Sequence, residues 1–414
     1  MISLRISASK DNIMKFFLFC IIWYVEFFVR YFQFSNALLL LGSLMLVFFT
    51  LDYFSGGKSV VRPMPKAFTI LIIYELYTII FGLIVTPNIS AHVNQSITMI
   101  EYTLTFIVIV YYAKKNNNID FLVWNYAIMY SLMCIIFLYK PVWYLDNMLF
   151  RRLSFAATMN PNSFAICMVT GAWSLLYLAL QKRIPTMIAL IGAGLNTYAI
   201  FQSGSRKGIG GILIVLSLWL VFCYIPNTDP HKSYIKILKA MAAVLIAATL
   251  IYILLPYYSD SILAKRMLDL SGEATEGARN EMYIRGWEYF KKSPVFGYGL
   301  QGFMYFYGSY SHATLIEVPV TGGIIGAILY LSFYIEIFLG LVKKIKSNRM
   351  ERCDIGDFIR PRMGMILFIA MMFYAIAMIH IYEIGSYMYF GMIIATYTVL
   401  DRNNLDNDIG VERD

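Results

Sequence analysis

Charge is what this sequence has least of: charged residues fill 14% of its 414 positions, against about a quarter in a soluble domain. With 59% of residues hydrophobic, the shortage of charge reads as an integral membrane protein. The net charge of +9 would suggest nucleic acid in a soluble chain. Here the basic residues sit in short segments between apolar runs, where they set topology, so no nucleic-acid partner is expected. Cysteine is also sparse and odd in number: Cys20, Cys134, Cys167, Cys223 and Cys353 are scattered, which excludes a disulfide framework or a thiolate metal site read from spacing. The four histidines, His92, His231, His312 and His380, do not pair at metal-ligand spacing either, so neither a metal nor another cofactor is expected. Long polar stretches are lacking too, with one exception, Tyr257 to His312. Only that stretch has room outside a bilayer for a substrate head group.

Apolar runs long enough to cross a membrane, about 17 to 25 residues, predict an all-α polytopic protein of about twelve spans. They fall near 14–33, 35–54, 67–86, 93–113, 121–139, 160–180, 184–201, 208–225, 238–256, 314–342, 362–381 and 384–400. With both termini cytoplasmic, the inside segments hold 22 of the 34 basic residues and the outside segments 12. That asymmetry places the loop 257–313, between the ninth and tenth spans, on the extracytoplasmic side of a single transmembrane domain, 1–414. Short translocated segments usually avoid positive charge, yet Lys140, Arg151, Arg152, Arg206 and Lys207 join six more basic residues of the large loop at that face. A polyanionic ligand there would account for them.

Within the loop, Thr275 to Lys292 predicts an amphipathic helix stopped by Pro294. Arg279 and Arg285 lie about 120° apart on such a helix, so at most one faces a given site; a helix resting on lipid head groups is the bland alternative. Gly297-Tyr298-Gly299 begins like a dinucleotide fingerprint but follows no βαβ pattern, and reads as a tight turn. Gly56-Gly57-Lys58-Ser59 is similar to the tail of a phosphate-binding loop, a reading excluded by Asp52 where the first glycine is needed. Ser203 to Gly208 joins two spans, with Gly204 and Gly208 placed for close helix approach. Arg206 at a helix start opposes the macrodipole, which suggests an anion held by Arg206 and the free amides after it. His312 stands where the polar loop meets the tenth span; a lone interfacial histidine is more often a surface residue, and its company of arginines favours function. Glu26, Glu75, Glu101, Glu336 and Glu383 lie in or beside apolar runs without an assigned role, whereas Glu317, five residues after His312, is placed to orient substrate or pair with an arginine.

In order, these residues resemble the O-antigen polymerase and ligase superfamily. The family pattern is a Ser-Gly-Ser-Arg turn opening a span, then a large extracytoplasmic loop. That loop carries a Gly-Arg pair, a Pro-x-x-Gly-x-Gly turn with a following Phe, and His-Asn leading into Leu-Glu and a glycine-rich span. The counterparts are Ser203 to Arg206, Gly277 to Arg279, Pro294 to Gly299 with Phe303, His312, Leu315 to Glu317, and Gly322 to Gly326; Arg152 with Asn160-Pro161-Asn162 looks like the segment before the sixth span. Ala278 inside the Gly-Arg pair and Ala313 after His312 depart from the pattern. The resemblance implies a GT-C-like membrane glycosyltransferase, metal-independent, that polymerises polyprenyl-diphosphate-linked oligosaccharide into a surface polysaccharide at the outer face of the bacterial cytoplasmic membrane. Ligation of finished glycan to an acceptor is the near alternative, and a lipid-linked sugar flippase the distant one. A chain-length regulator, a flippase and membrane lipid are the implied partners. The catalytic candidates are His312, Arg279 and Arg206, with Arg285, Arg152, Lys207 and Glu317 as substrate-binding candidates.

Overall fold

The computed structural model describes residues 10–28, 64–144, 152–157, 159–224, 273–348 and 354–399, with helical positions at 47, 50 and 51. The spans expected near 35–54 and 238–256, the loop's first part at 257–272, His231, Cys353 and the tail from 401 lie outside the described residues.

Helix α1 (Lys10–Trp23) runs into a π turn, Tyr24–Phe28, and is followed by α2 (Lys66–Val85), α3 (Ile89–Asn116) and α4 (Asp120–Tyr139). Next comes an antiparallel hairpin, β1 (Val142–Tyr144) with β2 (Arg152–Ser154), in which Trp143 faces Leu153. Then follow α5 (Pro161–Leu180), α6 (Thr186–Ser203) and α7 (Arg206–Trp219, continued by a π turn, Leu220–Tyr224). The last described part holds α8 (Glu273–Lys292), α9 (Gly302–Tyr307), α10 (Thr314–Ser347), α11 (Ile355–Ala375), a 3-10 turn (His380–Tyr382) and α12 (Ile384–Thr398). Seven of the described helices are long and apolar enough to cross a membrane.

The starts of these helices follow from their sequence. Asn88 accepts a hydrogen bond from the Ala91 amide to cap α3, and Asn160 accepts from the Asn162 amide ahead of Pro161 at the first position of α5, the residue types that helix starts favour. Helix α5 is apolar on every side, the pattern of a helix with no solvent face, and it occupies the middle of the bundle, packed by α4, α6, α7 and α11. Its Trp173 is fully buried and donates through Nε1 to the Met363 carbonyl of α11 at 2.8 Å. Helix α2 packs on α10 and α3 on α12, so the last three long helices sit between the α2–α3 hairpin and the α5–α7 group.

Two departures from the hydropathy reading bear on the site. The eleventh span, expected at 362–381, is a helix only over Ile355–Ala375. Helix α10 is interrupted at Gly323, whose φ of 61° and ψ of −158° are non-helical.

Candidate active site

The break in α10 has a partner. The Tyr298 amide donates to the Val320 carbonyl and the Gly299 amide to the Thr321 carbonyl, each at 2.9 Å, while the Ile324 amide donates to the Pro294 carbonyl at 2.8 Å. In an unbroken helix the carbonyls of Val320 and Thr321 would bond within α10; interrupting it frees them, and the Pro294–Gly299 turn takes them. Non-helical backbone at membrane depth is tolerated where protein buries it and satisfies its groups in this way. The contact is too close for side chains: a Cβ on Gly297 would lie 2.5 Å from the Thr321 carbonyl oxygen, and one on Gly323 2.2 Å from that of Val295. The tight turn expected at Gly297-Tyr298-Gly299 is therefore a clip on α10. His92 anchors its far side. Its Nδ1 accepts from the Leu300 amide at 3.0 Å, which leaves the ring proton on Nε2 for the Ile79 carbonyl at 3.1 Å.

Just before α10, the turn carrying His312 is fixed from below. Glu317, fully buried in the first turn of α10, accepts through Oε2 from the Ser311 hydroxyl at 2.6 Å and from the Ser311 amide at 3.3 Å. Ser311 and Ala313 are buried, whereas His312 between them is exposed, with φ at +56°, a left-handed conformation in which His is one of the enriched residue types. The carboxylate sits at the positive end of the α10 dipole, where an anion is favoured. Glu317 thus meets the serine beside His312.

The segment after α11 gathers the other motifs. Helix α11 ends at Ala375, so the main-chain carbonyls just past it need donors from elsewhere, and these come from three distant parts of the chain. Tyr283 of α8 donates its hydroxyl to the Ile376 carbonyl at 3.1 Å, and Lys207 donates its ammonium to the Ala377 carbonyl. Thr314 donates its hydroxyl and its amide to the Met378 carbonyl at 2.6 and 2.9 Å. Lys207 adjoins Arg206, Thr314 lies two residues after His312, and Tyr283 lies one turn after Arg279 on the same face of α8, about 40° away. Three consecutive carbonyls therefore bring the neighbourhoods of Arg206, Arg279 and His312 to one end of the bundle. No sequence pattern marks this ledge, because its chemistry is all main chain and its side chains read as a continued apolar span.

Arg206 is exposed at the first position of α7. Ser205 before it accepts from the Gly208 amide at 3.2 Å, so that amide, expected to be free, is capped. Ser205 also donates to Asn162 Oδ1 at 2.9 Å, tying the start of α7 to the start of α5. Close helix approach holds at Gly208, where a Cβ would meet that of Ala165 at 2.5 Å. Arg152 lies in β2, its backbone paired with Tyr144. On α8, expected over 275–292 and observed as Glu273–Lys292, Arg279 is exposed. Arg285 is exposed too, but is engaged by Glu288 at 3.1 Å and Glu281 at 3.8 Å. The hydrogen bond and charge of Glu288 raise its guanidinium above the usual arginine range.

Of the described histidines, His92 is buried and bonded. His380 is fully buried with its Nδ1 2.7 Å from the Tyr334 hydroxyl, and burial pushes its pKa down to about 3. His312 is the described histidine that is exposed. Among the described residues no group of histidine, cysteine or carboxylate side chains is arranged to hold a metal ion.

No curated protein matches the chain. Residues 188–331 match the family model described as O-antigen ligase, a stretch that contains Arg206, Arg279, His312, Glu317 and both halves of the clip. Over this segment the chain is similar to the O-antigen polymerase and ligase superfamily, whose members are glycosyltransferase-like membrane enzymes that act on lipid-linked glycans.

Proposed function

We propose that the chain polymerises polyprenyl-diphosphate-linked oligosaccharide at the outer face of the cytoplasmic membrane. The observation that carries this reading is the convergence on the carbonyls of Ile376, Ala377 and Met378 of the segments bearing Arg206, Arg279 and His312. In the transfer step the bond from the sugar's anomeric carbon to the diphosphate oxygen breaks, and a hydroxyl oxygen of the next lipid-linked unit bonds to that carbon. The hydroxyl proton passes to His312, and the diphosphate leaves with the bonding electrons. Arg206 and Arg279 hold the charge that builds on it, through paired N–H donors that a lysine cannot arrange. Glu317 does not touch substrate; it keeps the His312 turn in place through Ser311. Lys207 is spent on Ala377 and positions α7. Arg285, already engaged by Glu281 and Glu288, and Arg152 offer charge to the glycan or to lipid.

Ligation of finished glycan to an acceptor is the second reading, favoured by the name of the matched family. A deletion strain separates the two. Loss of a polymerase leaves surface glycan of a single repeat unit, whereas loss of a ligase leaves full-length polymer on its lipid carrier and none on the acceptor. A deletion strain with an unchanged glycan ladder would remove both readings.

A further inference from the structure

At the end of the bundle opposite His312, α2, α3, α10 and α12 surround a cleft of about 400 Å³, within the range of small-ligand sites. Lys66, Lys114, Lys343 and Lys344 line it, together with one carboxylate, Glu336. Lys114, Lys343 and Lys344 lie near helix C-termini, where the dipole favours a cation. Lys66 does not: it is the first residue of α2, where the dipole is already positive, and Pro65 before it supplies no side-chain cap. Two positive features thus meet at one wall, with three more ammonium groups around the same space. Thr398, also on the wall, has its hydroxyl oxygen buried without a hydrogen-bond partner. Ammonium groups crowded about a concave space with an unsatisfied hydroxyl describe a receptor for a multivalent oxyanion.

We infer that this cleft binds a phosphate-bearing anion, and that the anion is the head group of an acidic membrane lipid. The chemistry of recognition is the same for a free phosphate. The cleft's position favours the lipid, because its lysines lie at the ends of the span-length helices α2, α3 and α10, the setting in which inter-helix lysines meet phosphodiester head groups. This inference stands apart from the proposed activity, since none of these lysines lies at the His312 end.

The test uses the purified full chain in phosphatidylcholine nanodiscs with and without phosphatidylglycerol, reading retained phosphatidylglycerol by native mass spectrometry. Each lysine near an anionic head group contributes about fivefold in affinity. The combined variant Lys66→Gln, Lys343→Gln, Lys344→Gln should therefore weaken retention by about 10²-fold. The control Lys291→Gln, Lys292→Gln, on exposed α8 lysines at the other end, should leave it unchanged. Inorganic phosphate is the second probe: failure to displace the lipid supports the head group, and displacement at equal affinity assigns the cleft to the free ion. Equal retention by the wild type and both variants would overturn the inference. So would retention seen only after Asp401, Asp406, Asp408, Glu412 and Asp414 of the tail are neutralised, which would make the tail the occupant.

Discussion

Arg279 and Arg285 share a helix and differ in what surrounds them. Arg285 is held by Glu281 and Glu288 on an exposed face, an arrangement worth little in water. Arg279 lies above Tyr283, on the side of α8 that docks at Ile376. Arg279→Ala should cut polymer formation in isolated membranes by about 10² to 10³, the usual loss for a preorganised donor to developing charge, and Arg279→Lys should be nearly as damaging because the fork is lost. Arg285→Ala should stay within about threefold; the reverse ranking would move the clamp to Arg285. For His312, replacement by Ala should lower turnover by about 10² to 10⁴ while lipid-linked substrate still binds, as expected of a group acting in the transition state. Near-normal turnover in His312→Gln would reduce it to a hydrogen-bonding residue. Glu317→Ala leaves the buried Ser311 amide without its acceptor, a cost of about 1 to 3 kcal/mol, while the hydroxyl keeps the Ala313 carbonyl; it should lower turnover with little change in KM. Glu317→Gln keeps an amide oxygen as acceptor and should recover most of it. Equal loss in both variants would mean that the carboxylate charge itself is needed.

At the scale of elements, the broken α10 and its clip form one unit. Gly323→Ala would place a Cβ 2.2 Å from the Val295 carbonyl oxygen in a left-handed backbone, a strain of at least about 1 to 3 kcal/mol before the clash is counted. It should sharply reduce folded yield and thermal stability in detergent. The neighbouring Gly322→Ala meets its nearest atom at an ordinary 3.5 Å and should be close to neutral, so equal behaviour of the two variants would refute the clip. Elements were also where the sequence was most and least readable. Among the described residues, hydropathy located the long helices other than the eleventh span to within a few residues, because a helix in a bilayer must be apolar over its length. It ran the eleventh span past Ala375, because an apolar run does not reveal that Thr314, Lys207 and Tyr283 claim the next carbonyls. The turn at Pro294 to Gly299 was visible from its glycines; its partner was not, since the hydrogen bonds involve main-chain groups of Val320, Thr321 and Ile324.

Over the whole molecule, the basic residues predict which side each end of the bundle faces. Ser309→Cys, beside the His312 turn, should react with an impermeant maleimide in intact spheroplasts, and Ser347→Cys, at the other end of α10, only after permeabilisation; the opposite pattern would invert the protein in the membrane. The order of the motifs was legible along the chain, but their meeting place was not, because it is built from carbonyls some 60 or more residues away from each donor's segment, Thr314 to Met378 being separated by 64 positions. That separation has a practical consequence for grafting. The family-matched stretch, 188–331, holds the charged groups, yet Asn162, which receives Ser205, and the carbonyls of Ile376 to Met378 lie outside it. A chimera that exchanged only the matched stretch would carry over the candidate side chains and discard their scaffold. Functional exchange between relatives should therefore require swapping the chain from Asn160 through His380 as one block, together with His92, which anchors the clip.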